Sequence, residues 1–294
     1  MNVIKTCFMI ACLFSSLVSH AKHLVDAKGN PSPELKELFY VIEDIDPSQS
    51  ITFDELLSIA QKKWRQPHKE RWEFESRGQN KIASAYPILR RLGLIDEKRA
   101  SRLAYDYAIV SGGLTSRMQE RFDFLVEEFN RGVRFKKLIL LSGDRELSDT
   151  EPAILGVKTQ TDMMRYLYSI LNCPELKTIP IEIVEAPKKV SEEGGLERPG
   201  TREAVDAWLA TNPKPGHCLF FSNMPFCSYQ HSVLKSILPD VFEIETVGPG
   251  AREDTDLAVH MDNITRWMEW QKAYLARPKV ANSNVQINMA LARP

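Results

Sequence analysis

Net charge of either sign is the first thing this sequence lacks. Its 38 Lys/Arg against 39 Asp/Glu leave a formal charge of −1, which excludes a polycationic nucleic-acid binder and an acidic-tail protein alike. Cysteine is also scarce, five in 294 residues with no CxxC spacing, which argues against a structural zinc site or a disulfide framework. No internal repeat recurs. There is no HExxH, no GxSxG elbow, no spaced third glycine of a dinucleotide fingerprint and no Walker lysine. Metal-ligand spacing is absent too, and no cofactor is legible. Long apolar runs are missing except at residues 7–18, which are too few to span a bilayer.

That one run sits behind Lys5 and is followed by Val18-Ser19-His20-Ala21, close to a small-x-small cleavage pattern. It predicts a secretory signal peptide cut after Ala21 and a periplasmic or secreted protein. The mature chain then carries 37 basic and 39 acidic side chains, a charge of −2. Cys173, Cys218 and Cys227 remain, an odd number that allows one disulfide in an oxidising compartment without choosing the pair.

What is present is periodicity. Residues 22–33 are polar, with Gly29-Asn30-Pro31, and read as a loose leader. Pro33 suits the first turn of a helix marked by Leu35, Leu38, Phe39 and Ile42. Thr52 and Glu55 form a capping box that opens a helix to about residue 63, and a third runs over 82–92 to Gly93. With no strand signal, residues 22–102 read as a helical subdomain.

From residue 103 the pattern changes. Short apolar strands at 107–110, 138–141, 179–184, 218–221 and 242–247 alternate with amphipathic helices. The first of these helices carries Phe122, Leu125, Val126 and Phe129 and stops at Gly132. Others cover 159–171, a segment capped by Thr201, 229–238 and 254–275. This order predicts a doubly wound α/β domain over 103–276, a mainly parallel five-stranded, Rossmann-like sheet with right-handed crossovers. Residues 277–294 lose periodicity and read as a disordered tail.

In such sheets ligands bind beyond the carboxyl ends of the strands, and the candidate residues converge there. Ser111-Gly112-Gly113 resembles the turn that offers N–H groups to an anion at a helix N-terminus, and Arg117 lies one turn into that helix. A plain tight turn fits the same residues. Asp144 and Arg145 end the second strand; the aspartate suits a metal ligand, a general base or a ribose acceptor, and equally an Asp–Arg pair. Glu185, ending the third strand, has the same ambiguity. Thr201 and Arg202 open a helix on this rim, Ser222 and Asn223 end the fourth strand, and His231 is placed as acid, base or structural histidine.

Charge is uneven along the chain. Residues 61–102 hold twelve Lys/Arg against five Asp/Glu, with Trp64 and Trp72 among Lys62, Lys63, Arg65, Lys69 and Arg71. That segment reads as a membrane-surface or anionic contact, or as a solvated helix end with buried tryptophans.

The ordered set Gly112-Gly113, Arg117, Ser142-Gly143, Glu185, Thr201-Arg202-Glu203 and Ser222-Asn223 resembles the YdcF/SanA-like family of bacterial proteins over about residues 107–247. The resemblance implies an envelope-associated protein with a phosphorylated or nucleotide-like ligand, S-adenosylmethionine among the options, and no defined reaction. Three functions follow as expectations. The first is a binder of an anionic small molecule or envelope intermediate, and a hydrolase or transferase if Asp144, Glu185 and His231 act as acid and base. The second is a non-catalytic scaffold docking through its basic helical region. The third is an S-adenosylmethionine-dependent enzyme.

Overall fold

The computed structural model describes residues 24–26, 28–66, 69, 73–190 and 194–277. The signal peptide, Arg71 with Trp72, and positions 278–294 of the expected tail lie outside the described residues.

Three helices open the described chain: α1 (Pro33–Glu43), α2 (Phe53–Lys63) and α3 (Ile82–Arg91). Each starts or stops where its residues dictate. Ser32 Oγ accepts from Leu35 N–H to cap α1, and the Thr52–Glu55 box caps α2 reciprocally. Gly93, at φ +74°, takes the left-handed turn after α3. The stretch before α1 is not a loose leader. Leu24 and Val25 are buried, and Asp26 closes a tight turn by accepting from the N–H groups of Lys28 and Asn30. The correction follows from an apolar pair inside a polar segment, which the helical core takes in.

The α/β part runs β1 (Ala104–Ser111), α4 (Thr115–Asn130), β2 (Arg134–Gly143), α5 (Gln160–Ser169), β3 (Ile181–Ala186), a small antiparallel pair β4 (Lys189–Val190) and β5 (Leu196–Glu197), α6 (Thr201–Leu209), β6 (Gly216–Phe221), α7 (Cys227–Ile237), β7 (Phe242–Val247) and α8 (Leu257–Ala276). The main sheet is all-parallel in the order β3-β2-β1-β6-β7. This is the predicted doubly wound topology, with its switch point between β1 and β6.

Side-chain alternation divides the sheet into two cores. Ala108, Val110, Leu138, Leu140, Leu219 and Phe221 pack against Phe122, Leu125, Met164 and Leu167 of α4 and α5. Ile109, Ile139, Leu141, Cys218 and Phe220 pack on the other face against Val205, Trp208 and Leu234 of α6 and α7. Covered on both faces, the central strands read as unbroken apolar runs.

A third core joins the two ends of the chain. Leu257, Met261, Ile264, Trp267 and Met268 of α8 pack with Leu35, Phe39, Leu56, Trp64 and Leu89 of the opening helices. No helix among the described residues is long and apolar enough to cross a membrane.

The three described cysteines are free and buried. The disulfide that the sequence allows is not formed among them, and Cys173 and Cys218 belong to cores on opposite faces of the sheet. Burial pushes the Cys218 thiol up to about 12 and that of Cys227 to about 11.

Candidate functional site

At the end of β1 the chain turns through Gly112 and Gly113 into α4. Its carbonyls are held from behind. Arg121 donates to the carbonyls of Ser111 (2.7 Å) and Gly112 (2.5 Å), and the Gly113 carbonyl accepts from Arg145 (3.0 Å) and Gln160 (3.1 Å). At the head of α4, the Glu151 carboxylate takes the N–H of Thr115 (2.8 Å). Among the described residues, the N–H groups of Gly113, Leu114 and Ser116 have no partner, as the first turn of a helix leaves them.

Two glycines are needed for space. A Cβ at Gly112 would lie 2.2 Å from Gln160 Oε1, and one at Gly143 would lie 2.5 Å from Pro199 Cγ. Gln160 in turn accepts the Gly143 N–H (2.9 Å), so one amide pins both strand ends.

Arg145 and Glu151 form a buried bidentate pair, Nη1–Oε2 2.5 Å and Nη2–Oε1 3.0 Å. Burial opposes ionisation of Glu151, but hydrogen bonds from Arg145, the Ser148 N–H and Thr115 outweigh it and hold its pKa at about 2. Arg145 Nε is buried without a partner.

Over this turn lies a cavity of about 820 Å³. The α/β core forms its floor, the segment 197–201 forms one wall, and Arg252, Asp256, Val259 and Arg266 close it from the side of α8. Eight Lys or Arg residues and three Asp or Glu residues line it. Arg117 (3.1 Å) and Arg252 (2.6 Å) share the single carboxylate of Glu120, which leaves that trio a unit positive charge. Phe226 and Tyr229 add aromatic surface. A cleft of this volume falls in the size range of small-molecule sites.

The chain matches no known family model, curated protein or solved structure.

Of the residues singled out in the sequence, Lys69, Ser111, Gly112, Gly113, Arg117, Ser142, Gly143, Arg145 and Thr201 line the cavity. Asp144, Glu185, Arg202, Ser222, Asn223 and His231 are not among its lining residues. Asp144 is half-buried, and its N–H continues the sheet by donating to Ala186 O (2.8 Å). It forms no pair with Arg145, which Glu151 occupies instead. Glu185 lies within β3 rather than after it, and its carboxylate takes the Thr161 hydroxyl. His231 turns to the sheet, with Nδ1 3.1 Å from Thr246 Oγ1. Arg202 is exposed and pairs with Asp206.

Ser222 and Asn223 are fully buried and act as supports. Ser222 bonds Gln230, whose amide donates to Thr201 Oγ1 (3.1 Å). Asn223 accepts from Arg121 (2.6 Å) and donates to Glu120 (2.7 Å). Thr201 is the first helical residue of α6 rather than its cap. Gly200 holds the cap position, and its N–H donates to Glu203 (2.7 Å).

Sequence reasoning missed Arg121, Glu151, Gln160 and Arg252. A signal existed for the first: Arg121 is three residues after Met118 and four before Leu125, on the stripe that α4 buries. A guanidinium there must be satisfied internally. Glu151, in a polar loop before Pro152, carried no such signal.

The basic segment also resolves into structure. Trp64 is core, stacked on Phe39 at 4.2 Å and donating Nε1–H to Glu43 (2.7 Å). Around it Lys63 pairs with Glu43, Arg65 with Asp262 and Lys69 with Glu75. Among the described residues, no group of three or more His, Cys, Asp or Glu is arranged to hold a metal ion.

Proposed function

We propose that this protein binds a phosphorylated or nucleotide-like anion in the cavity at the carboxyl ends of its strands. The observation that carries the reading is the pair Arg117 and Arg252, which share one carboxylate beside the α4 N-terminus. An incoming phosphate supplies the second negative group those guanidinia lack, and the partnerless N–H groups of Gly113, Leu114 and Ser116 supply donors to it. Binding is favoured over turnover because Asp144, Glu185 and His231 do not line the cavity. The exported, envelope-associated setting rests on residues 1–21 and on the family resemblance.

A thermal-shift and calorimetry screen of the full chain tests this, with inorganic phosphate, nucleotides, sugar phosphates and S-adenosylmethionine as probes. A ligand at a hundred times its dissociation constant stabilises the native state by about 2.7 kcal/mol. Arg117→Ala and Arg252→Ala are expected to stay folded and to weaken the hit about tenfold or more, each removing a charge-assisted contact. A screen silent for every phosphate, with the protein folded, counts against the site.

A further inference from the structure

A second cleft, of about 500 Å³, opens between α4 and α5. Its character is opposite to that of the first. Ile154, Met163, Leu167 and Ile170 line it, and no lysine or arginine among the described residues does. It is also open to water, with Ile170 more than half exposed and the neighbouring Leu155 wholly so.

The two clefts adjoin. Leu114 and Ser116 line both. The partition is thin: the first turn of α4, plus the Arg145–Glu151 pair, whose arginine lines the basic cavity and whose glutamate lines the apolar cleft. Thr115, on that same turn, donates its N–H and hydroxyl to Glu151 (2.8 Å each). An anion seated at the N-terminus of α4 therefore lies one helical turn from an apolar trough leading away from it.

We infer that the ligand is an amphipathic phosphate, with its head group at the α4 N-terminus and one alkyl chain laid across Leu114 into the α4–α5 cleft. This rests on the anion-binding reading above and narrows it to a substrate class. A soluble nucleotide leaves the apolar trough bare, whereas an alkyl chain removes its surface from water. The Glu151 charge is offset by Arg145, which engages both of its oxygens and itself lines the basic cavity.

The test is calorimetry of the full chain with inorganic phosphate and with butyl, octyl and dodecyl phosphate, each below its micellar concentration. Affinity is expected to rise by about fourfold for each methylene the cleft buries. Ile154→Asp and Ile170→Asp, at half-buried and exposed positions, should abolish that gain and leave inorganic phosphate binding as in the parent.

A flat series with phosphate still bound overturns this inference alone. A gain that survives both substitutions overturns it too, since the chain then lies elsewhere. If no phosphate binds, the anion reading falls with it. Co-sedimentation with vesicles of phosphatidylcholine and phosphatidic acid, in place of a chain-length effect, assigns the site to a bilayer surface and likewise overturns it.

Discussion

Arg145 and Glu151 show how a single pair governs this site. Glu151 accepts from Arg145, Ser148 and Thr115 at once, and its side chain is 4% exposed. Glu151→Gln leaves the Arg145 charge buried without its counter-charge. Breaking such a pair costs about 3–5 kcal/mol, expected as a matching drop in unfolding free energy in urea. The acid limb follows the same logic. The folded pKa of about 2 lies below the ordinary value of 4.5, so the stabilisation is whole above pH 4.5 and drains as pH falls toward 2. The glutamine variant should lose that part of the acid sensitivity. Little of this was legible beforehand. The glycine turn and its flanking strand could be read because small residues ending an apolar run have few other meanings. The partner of Arg145 could not be read, because sequence adjacency favoured Asp144 while the fold returned a residue from a loop.

Elements were more legible than side chains. Helix caps are local chemistry, so Thr52–Glu55 fixed the start of α2, and Thr159 with Asp162 caps α5 in the same way. Thr201 misled because threonine before an apolar stripe is a common cap, but Gly200 and Glu203 satisfied that end first. Trp64 follows the second of its two sequence readings, a buried tryptophan, and its neighbours Lys63, Arg65 and Lys69 pair with Glu43, Asp262 and Glu75. Within α8, His260 is buried with Nδ1 unpartnered, and burial lowers its pKa to about 4. In the unfolded chain it protonates near 6.5. Stability from the neutral form is therefore complete above pH 6.5 and lost as pH falls toward 4, about 3 kcal/mol in all. Urea midpoints measured from pH 7 to pH 4.5 should fall steeply, and His260→Leu should flatten that slope. An unchanged slope would place the titration on another group.

At the scale of the whole molecule, the doubly wound class and the parallel five-stranded sheet could be read from the alternation of strands with helices. The third core could not. A pattern of apolar residues marks a face but not its partner, and the partner of α1–α3 is a helix at the far end of the chain. The sequence boundary at residue 102 separated two stretches that share one core. A fragment of residues 103–277 should therefore leave Leu257, Met261, Ile264, Trp267 and Met268 uncovered. Such a fragment is expected to bind a hydrophobic dye and lose near-ultraviolet circular dichroism while keeping its sheet. A fragment with native dichroism and no dye binding would make the opening helices dispensable.

That shared core also imposes a schedule on synthesis. Residues 24–92 leave the ribosome well before α8, the helix that completes their packing, which follows some 165 residues later. At bacterial-to-eukaryotic elongation rates the wait is on the order of ten to thirty seconds. Throughout it, Leu35, Phe39, Leu56 and Trp64 lack their closing surface and are exposed to holding chaperones. The core of α1–α3 thus stays open on one side until α8 arrives.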